Sequence, residues 1–152
     1  MPLKQLKEFL NKNEIKYTIL NHSIAYTAQE VVESTHLSSK NLAKCVIVKI
    51  KNKLIMVVLP AHQKVDLHQI KQMTGSSEAE LASESEFQNR FPGCELGAMP
   101  PFGNLFDMSV YISDGFDTHG NIAFNAGTHS QLIQLAYVDY VRLVKPIVIR
   151  GC

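Results

Sequence analysis

The chain holds no tryptophan and only three cysteines, Cys45, Cys94 and Cys152. An odd, sparse set without a CxxC pair excludes a disulfide framework and a zinc knuckle. Long apolar runs are missing too. The longest, such as the run from Leu54 to Pro60, fall far below the roughly 20 residues that span a bilayer. The first ten residues carry Lys4, Lys7 and Glu8, so they lack the apolar centre of a secretory signal. An excess of one charge is also absent. The formal net charge is +1, which excludes a uniformly basic coat for nucleic acid. No glycine-rich phosphate loop, dinucleotide fingerprint or GxSxG elbow occurs. The histidines, His22, His36, His62, His68, His119 and His129, show neither HxH nor HExxH spacing, so no metal site is expected.

What remains is ordinary globular material. Hydrophobic residues make up 45% and charged residues 19% of the 152 positions, which argues against disorder. That length fits one domain over 1–152 and buries about 70% of the unfolded surface. A soluble, cytoplasmic protein is expected. The near-neutral total hides an asymmetry. Residues 1–75 hold 11 lysines against 5 acidic residues, while residues 76–152 hold 4 basic against 9 acidic ones. Gathered on one face, the lysines would attract a polyanion; scattered, they form a solvated surface.

Patterning predicts the elements. Pro2 with Leu3, Leu6 and Leu10 reads as an amphipathic helix with proline in its first turn. Glu14 to Asn21 reads as an edge strand. Thr27-Ala28-Gln29-Glu30 opens a short helix to about Glu33 with a capping box. Residues 44–50 and 53–59 form a hairpin about Lys51-Asn52, without clean alternation, as in a strand covered on both faces. Asp66 and Gly75 bracket a helix near 66–74. Ser83 to Glu86 caps another, stopped by Pro92-Gly93. Short strands are expected near 94–98, 108–113, 121–126 and 131–136, with a last helix near 137–143. This order predicts an α+β fold: a mixed, mostly antiparallel sheet, curled toward a barrel and flanked by helices.

Three segments carry candidate chemistry. Lys44 stands where a polar stretch gives way to an apolar strand. A lysine there either snorkels to water or holds its ammonium in a half-enclosed place, against a phosphate or a carbonyl oxygen. Gly97-Ala98-Met99-Pro100-Pro101-Phe102-Gly103 is a stiff loop, suited either to walling a small-molecule pocket or to shaping the fold. Phe124-Asn125-Ala126-Gly127-Thr128-His129 follows a strand with backbone amides, a hydroxyl and a possible base; it also suits an ordinary strand-end turn. Cys45, inside an apolar strand, reads as a buried inert thiol.

Together these segments resemble the YbaK/ProX family of aminoacyl-tRNA editing domains. Lys44 opening KCVIVKI, GAMPPFG at 97–103 and FNAGTH at 124–129 match in order and spacing. Leu59-Pro60-Ala61 with Val65-Asp66 resembles the family's connection into its middle helix, and the likeness runs nearly the whole chain. The resemblance implies a free-standing deacylase that hydrolyses the ester of a mischarged tRNA in trans, without metal or other cofactor. The amino acid removed is expected to be small, with alanine first and serine or cysteine next. It implies Lys44 and His129 as catalytic residues. Gly97, Met99, Pro100, Pro101, Phe102 and Gly103 would line one wall of the substrate site, and Asn125, Gly127 and Thr128 would face it. Many relatives carry a small polar residue where this chain has Cys45. The partners implied are the acceptor end of a mischarged tRNA and, further, a synthetase; no membrane is involved and a monomer is expected. A non-catalytic tRNA- or synthetase-binding module and a small-molecule hydrolase are the competing readings.

Overall fold

The computed structural model describes residues 2–21, 41–95 and 97–149. The capping box at Thr27 and the helix it opens lie outside these, as do His22 and His36. Helix α1 (Pro2–Lys12) turns Leu6 and Leu10 fully into the core, as its spacing requires. Strand β1 (Tyr17–Asn21) pairs antiparallel with β7 (Gln131–Ala136), which pairs antiparallel with β6 (Asn121–Asn125). A second sheet runs in the order β4-β2-β3-β5-β8. Its centre is the predicted hairpin, β2 (Ala43–Ile50) and β3 (Lys53–Pro60), turned by Lys51 at φ 54 and Asn52. Strand β4 (Glu80–Leu81) adds antiparallel to β2. Strand β5 (Ser109–Ser113) adds parallel to β3, and β8 (Ile147–Ile149) parallel to β5.

Helix α2 (Leu67–Thr74) starts where the Asp66 carboxylate accepts from the Gln69 amide at 3.2 Å, and it ends at Gly75, whose φ of 70 suits glycine. Helix α3 (Glu84–Phe87) begins with the predicted box, the Ser83 amide donating to Glu86 at 2.9 Å. Helix α4 (Tyr137–Val144) follows β7 directly. Among the described residues no helix is long and apolar enough to cross a membrane.

Two expectations are corrected. The fold is α+β and mostly antiparallel, but the strands form two open sheets rather than one curled toward a barrel. The edges explain this: β4 has 2 residues and β8 has 3, too short to carry a ladder round to the other sheet. Among the described residues the sheets meet instead at a parallel bridge, Leu42 to Ala123. Nor do the described residues of 94–98 form a strand. Gly97 sits at φ 84 and the Ala98 amide turns back to the Glu95 carbonyl at 3.0 Å, so the backbone folds where a ladder needs it extended.

The main core lies between the sheets and α1. Phe102 is at its centre, with ring centroids 6.0 Å from Phe9, 5.3 Å from Phe124 and 5.3 Å from Tyr140. A second cluster packs α2 onto the other face of β2 and β3 through Val48, Val57, Leu59 and Ile70. A third, of Leu42, Ala123 and Leu132, lies at the seam between the sheets.

Candidate active site

Alternation along β2 decides which residues meet. Ala43, Cys45 and Ile47 turn into the main core, so Leu42, Lys44 and Val46 take the opposite face. On β6, Phe124 turns to the main core while Ala123 joins Leu42 in the seam cluster, so Asn125 shares Ala123's face. The bridge from Leu42 to Ala123 is parallel. Two residues beyond it on each strand stand Lys44 and Asn125, abreast on one face.

Lys44 is half-buried and has no ion-pair partner among the described residues. Desolvation holds its ammonium below the usual lysine range, and the charge of Lys64 pushes the same way. Two neighbouring cations without an ion-pair partner among the described residues are arranged to receive an anion. Asn125 is half-buried, and its Oδ1 is buried without a hydrogen-bond partner among the described residues.

The turn after β6 is tied to the proline loop. The Gly127 amide donates to the Ala98 carbonyl at 2.9 Å, and the Glu95 amide to the Gly127 carbonyl at 2.8 Å. Gly127 has φ 95 and Gly97 φ 84. A Cβ on Gly97 would stand 3.4 Å from Cε1 of His129, an ordinary contact, so it is the φ of 84 and not the ring that calls for glycine. His129 is buried, and its amide donates to Glu95 Oε1 at 3.4 Å. Thr128 is half-buried, its hydroxyl accepting from the Ser130 amide at 3.5 Å. The amides of Gly127 and His129 are therefore committed within the turn.

The rest of the proline loop goes inward. Met99, Pro100, Pro101, Phe102 and Gly103 are all buried. The Tyr140 hydroxyl donates to the Pro101 carbonyl, and the Cys45 thiol to the Met99 carbonyl at 3.2 Å. Burial pushes the Cys45 thiol far up, and the nearby Cys94 adds to this, in keeping with an inert thiol. A Cβ on Gly103 would come within 2.6 Å of the Met108 carbonyl, so only glycine fits. The loop is thus held rigidly from beneath. Its approach to the site is at Gly97, while Met99 and Phe102 fill core.

Sequence reasoning passed over two neighbours. Lys64 entered it only as one of many lysines. Glu95 stood inside an expected strand, although a carboxylate between two turn glycines marks an irregular segment. Among the described residues no three of His, Cys, Asp and Glu gather as metal ligands do.

The chain as a whole has counterparts among known proteins. The family pattern for the aminoacyl-tRNA editing domain matches residues 22–143, and the chain belongs to that family. The multifunctional Ser/Thr-tRNA deacylase ProXp-y of Escherichia coli K12 is 28% identical over 149 residues, covering 94% of this chain and 88% of the relative. The prolyl-tRNA editing protein ProX of Acetoanaerobium sticklandii is 28% identical over 148 residues, with coverage of 90% and 86%. Among solved structures, the hypothetical protein APE2540 superposes with a TM-score of 0.84 at 16% identity, covering 95% of this chain and 96% of that one. A candidate trans-editing enzyme for prolyl-tRNA synthetase gives 0.80 at 16% identity, with coverage of 97% and 94%.

Proposed function

We propose that the protein is a trans-acting aminoacyl-tRNA deacylase that hydrolyses the ester of a mischarged tRNA bearing a small amino acid. The observation that carries the reading is Lys44, half-buried and without an ion-pair partner among the described residues, on the face that Asn125 shares across the bridge from Leu42 to Ala123. The lysine ammonium faces the ester and stabilises the oxyanion that forms when water attacks its carbonyl; the bond to the ribose oxygen then breaks, and that oxygen leaves as a hydroxyl with a proton from the water. With the Gly127 and His129 amides spent within the turn, Lys44 is the chief electrophile. Lys64 supplies a second charge for the phosphate that leads into the terminal nucleoside. His129 borders the reacting group as donor or base.

The side chain removed is bounded at Gly97, the one part of the rigid loop that approaches the site. Pro100 and Pro101 stiffen the loop, and Phe102 and Tyr140 lock it from below. Such a wall rejects bulk by clash but separates small side chains weakly, because one methylene is worth only about 1–3 kcal/mol. Alanine is expected first, serine or cysteine next. The name of the Escherichia coli relative adds threonine to the set worth testing.

Initial rates on alanyl-, seryl-, threonyl-, cysteinyl- and phenylalanyl-tRNA test the reading, for the native chain and Lys44→Ala. Hydrolysis of a small ester, falling about 10²–10³-fold in the folded variant, is expected. A preference for the phenylalanyl ester defeats the small-pocket part. Near-native turnover by Lys44→Ala removes that residue from the chemistry. No turnover of any ester by the native chain favours a binding module.

A further inference from the structure

The hairpin turn borders a cleft that the proposed reaction does not use. The cleft measures about 420 Å³, within the range of small-molecule sites. It is lined by Ile50, Ile55 and Tyr111, by Gly75 at the end of α2, and by Lys51 and Lys53 of the turn. Ile50 and Ile55 are buried in the α2 cluster, and Tyr111 packs half-buried against it. Lys51 and Lys53 are exposed and have no ion-pair partner among the described residues. Glu78 and Glu80 line the adjoining cleft, not this one. Lys51 holds φ 54, a left-handed conformation more usual for glycine or asparagine. The turn thus keeps a lysine where its backbone would be easier without one. Lys44 and Ile50 stand at opposite ends of β2, about 20 Å apart, so this cleft is remote from the proposed chemistry.

The polar parts of this lining have opposite senses. The hairpin brings two ammonium groups. The end of α2 brings carbonyl oxygens and the negative pole of the helix. The rest is apolar and includes an aromatic ring. A simple anion would satisfy the lysines and leave the ring and the carbonyls unused. A simple apolar body would leave the lysines unpaired. A ligand that meets all three has a doubly charged group, a flat ring and N–H donors on that ring. A phosphomonoester carries nearly two charges at pH 7, and an amino-bearing nucleobase supplies the rest. We infer that this cleft binds a nucleoside monophosphate. Its phosphate lies on Lys51 and Lys53, and its base packs against Tyr111 with the amino group toward the end of α2. A free nucleotide and the 5′-phosphorylated end of an RNA strand share this chemistry. The inference is independent of the deacylase reading.

The chain lacks tryptophan, so Tyr111→Trp installs one fluorescent reporter in the cleft, far from Lys44. AMP should quench it saturably, with a Kd below about 1 mM. Adenosine, and inorganic phosphate competing with AMP, should each bind at least about tenfold more weakly. Lys51→Asn with Lys53→Gln, in the same background, should weaken AMP by at least about tenfold. A 5′-phosphorylated tetraadenylate separates the two sources: tighter binding than AMP assigns the cleft to an RNA end, weaker binding to a free nucleotide. Absence of saturable quenching by AMP below about 1 mM overturns the inference. So does adenosine that binds as tightly as AMP, because the lysines then have no part, or phosphate that does so, because the ring then has none. A folded double-lysine variant with unchanged affinity overturns it as well. Should Tyr111→Trp not fold, calorimetry of AMP binding to the Lys44→Ala chain, with and without the two lysine changes, makes the same comparison with the same outcomes.

Discussion

In the proposed mechanism Lys44 concentrates the chemistry in one titrating group. Desolvation and the charge of Lys64 lower its pKa below the usual 10.5, so its cation is lost at a lower pH than that of an exposed lysine. Only the charged form stabilises an oxyanion. Enzyme-dependent hydrolysis, after subtraction of the spontaneous rate, should fall as pH rises through that lowered value. Lys64→Ala removes one cause of the shift and should move this alkaline limb upward. A limb that stays in place separates Lys64 from Lys44 function. At this scale the residue types were legible and their neighbours were not. Lys44, Asn125 and His129 stand out because each interrupts an apolar strand or follows a turn glycine. Lys64 and Glu95 interrupt nothing, and only the fold brings them near.

Among elements, those with closed local logic read directly from the chain. Asp66 and Gly75 bracket α2, Ser83 and Glu86 open α3, and Lys51-Asn52 turns the hairpin, because caps and turns are decided within a few residues. Strands β4 and β8 are fixed by what lies beside them and carry too few residues for a pattern. The loop from Gly97 to Gly103 reads as constrained, but whether its constraint served a pocket or a core needed the packing. Gly75 at the end of α2 and Gly103 in this loop make a measurable contrast. Gly75 has open space around it but φ 70, so Gly75→Ala should cost about 1–2 kcal/mol through backbone strain alone. Gly103→Ala drives a methyl to 2.6 Å from both the Met108 carbonyl and Val110 Cγ2 and should cost about 1–3 kcal/mol by overpacking. Urea unfolding gives both values. A neutral Gly103→Ala would mean that the loop yields, and that the wall of the proposed pocket is soft.

Across the whole molecule, the lysine-rich half of the chain is not one basic face. Exposed lysines lie on α1 (Lys4, Lys12), before β1 (Lys16), at the hairpin (Lys51, Lys53) and before α2 (Lys64), elements that serve both sheets. Lys49 is engaged with Glu86 at 2.8 Å. Lys49, Lys51 and Lys71 border one cleft at the hairpin; in the proposed function a polyanion meets Lys44 and Lys64. Binding of an acceptor-stem microhelix between 50 and 200 mM salt should weaken with a shallow slope, at roughly 0.7–0.9 of a logarithmic unit per phosphate neutralised. Lys64→Ala should lower the slope by about one contact; an unchanged slope places the phosphate elsewhere. Topology is the level at which the sequence was least informative. The α+β class follows from the order of elements, whereas division into two open sheets depends on pairings between distant segments that no local pattern encodes.

The bridge from Leu42 to Ala123 closes a loop of roughly 80 residues. Contacts of such separation are entropically late in folding, and β6 needs β7 beside it to be placed at all. During synthesis, then, the hairpin and α2 have their local partners long before Lys44 has Asn125. A partly made or partly refolded chain carries much of its secondary structure and none of its catalytic pairing. The proposed site is therefore complete only once the last third of the polypeptide has joined the hairpin.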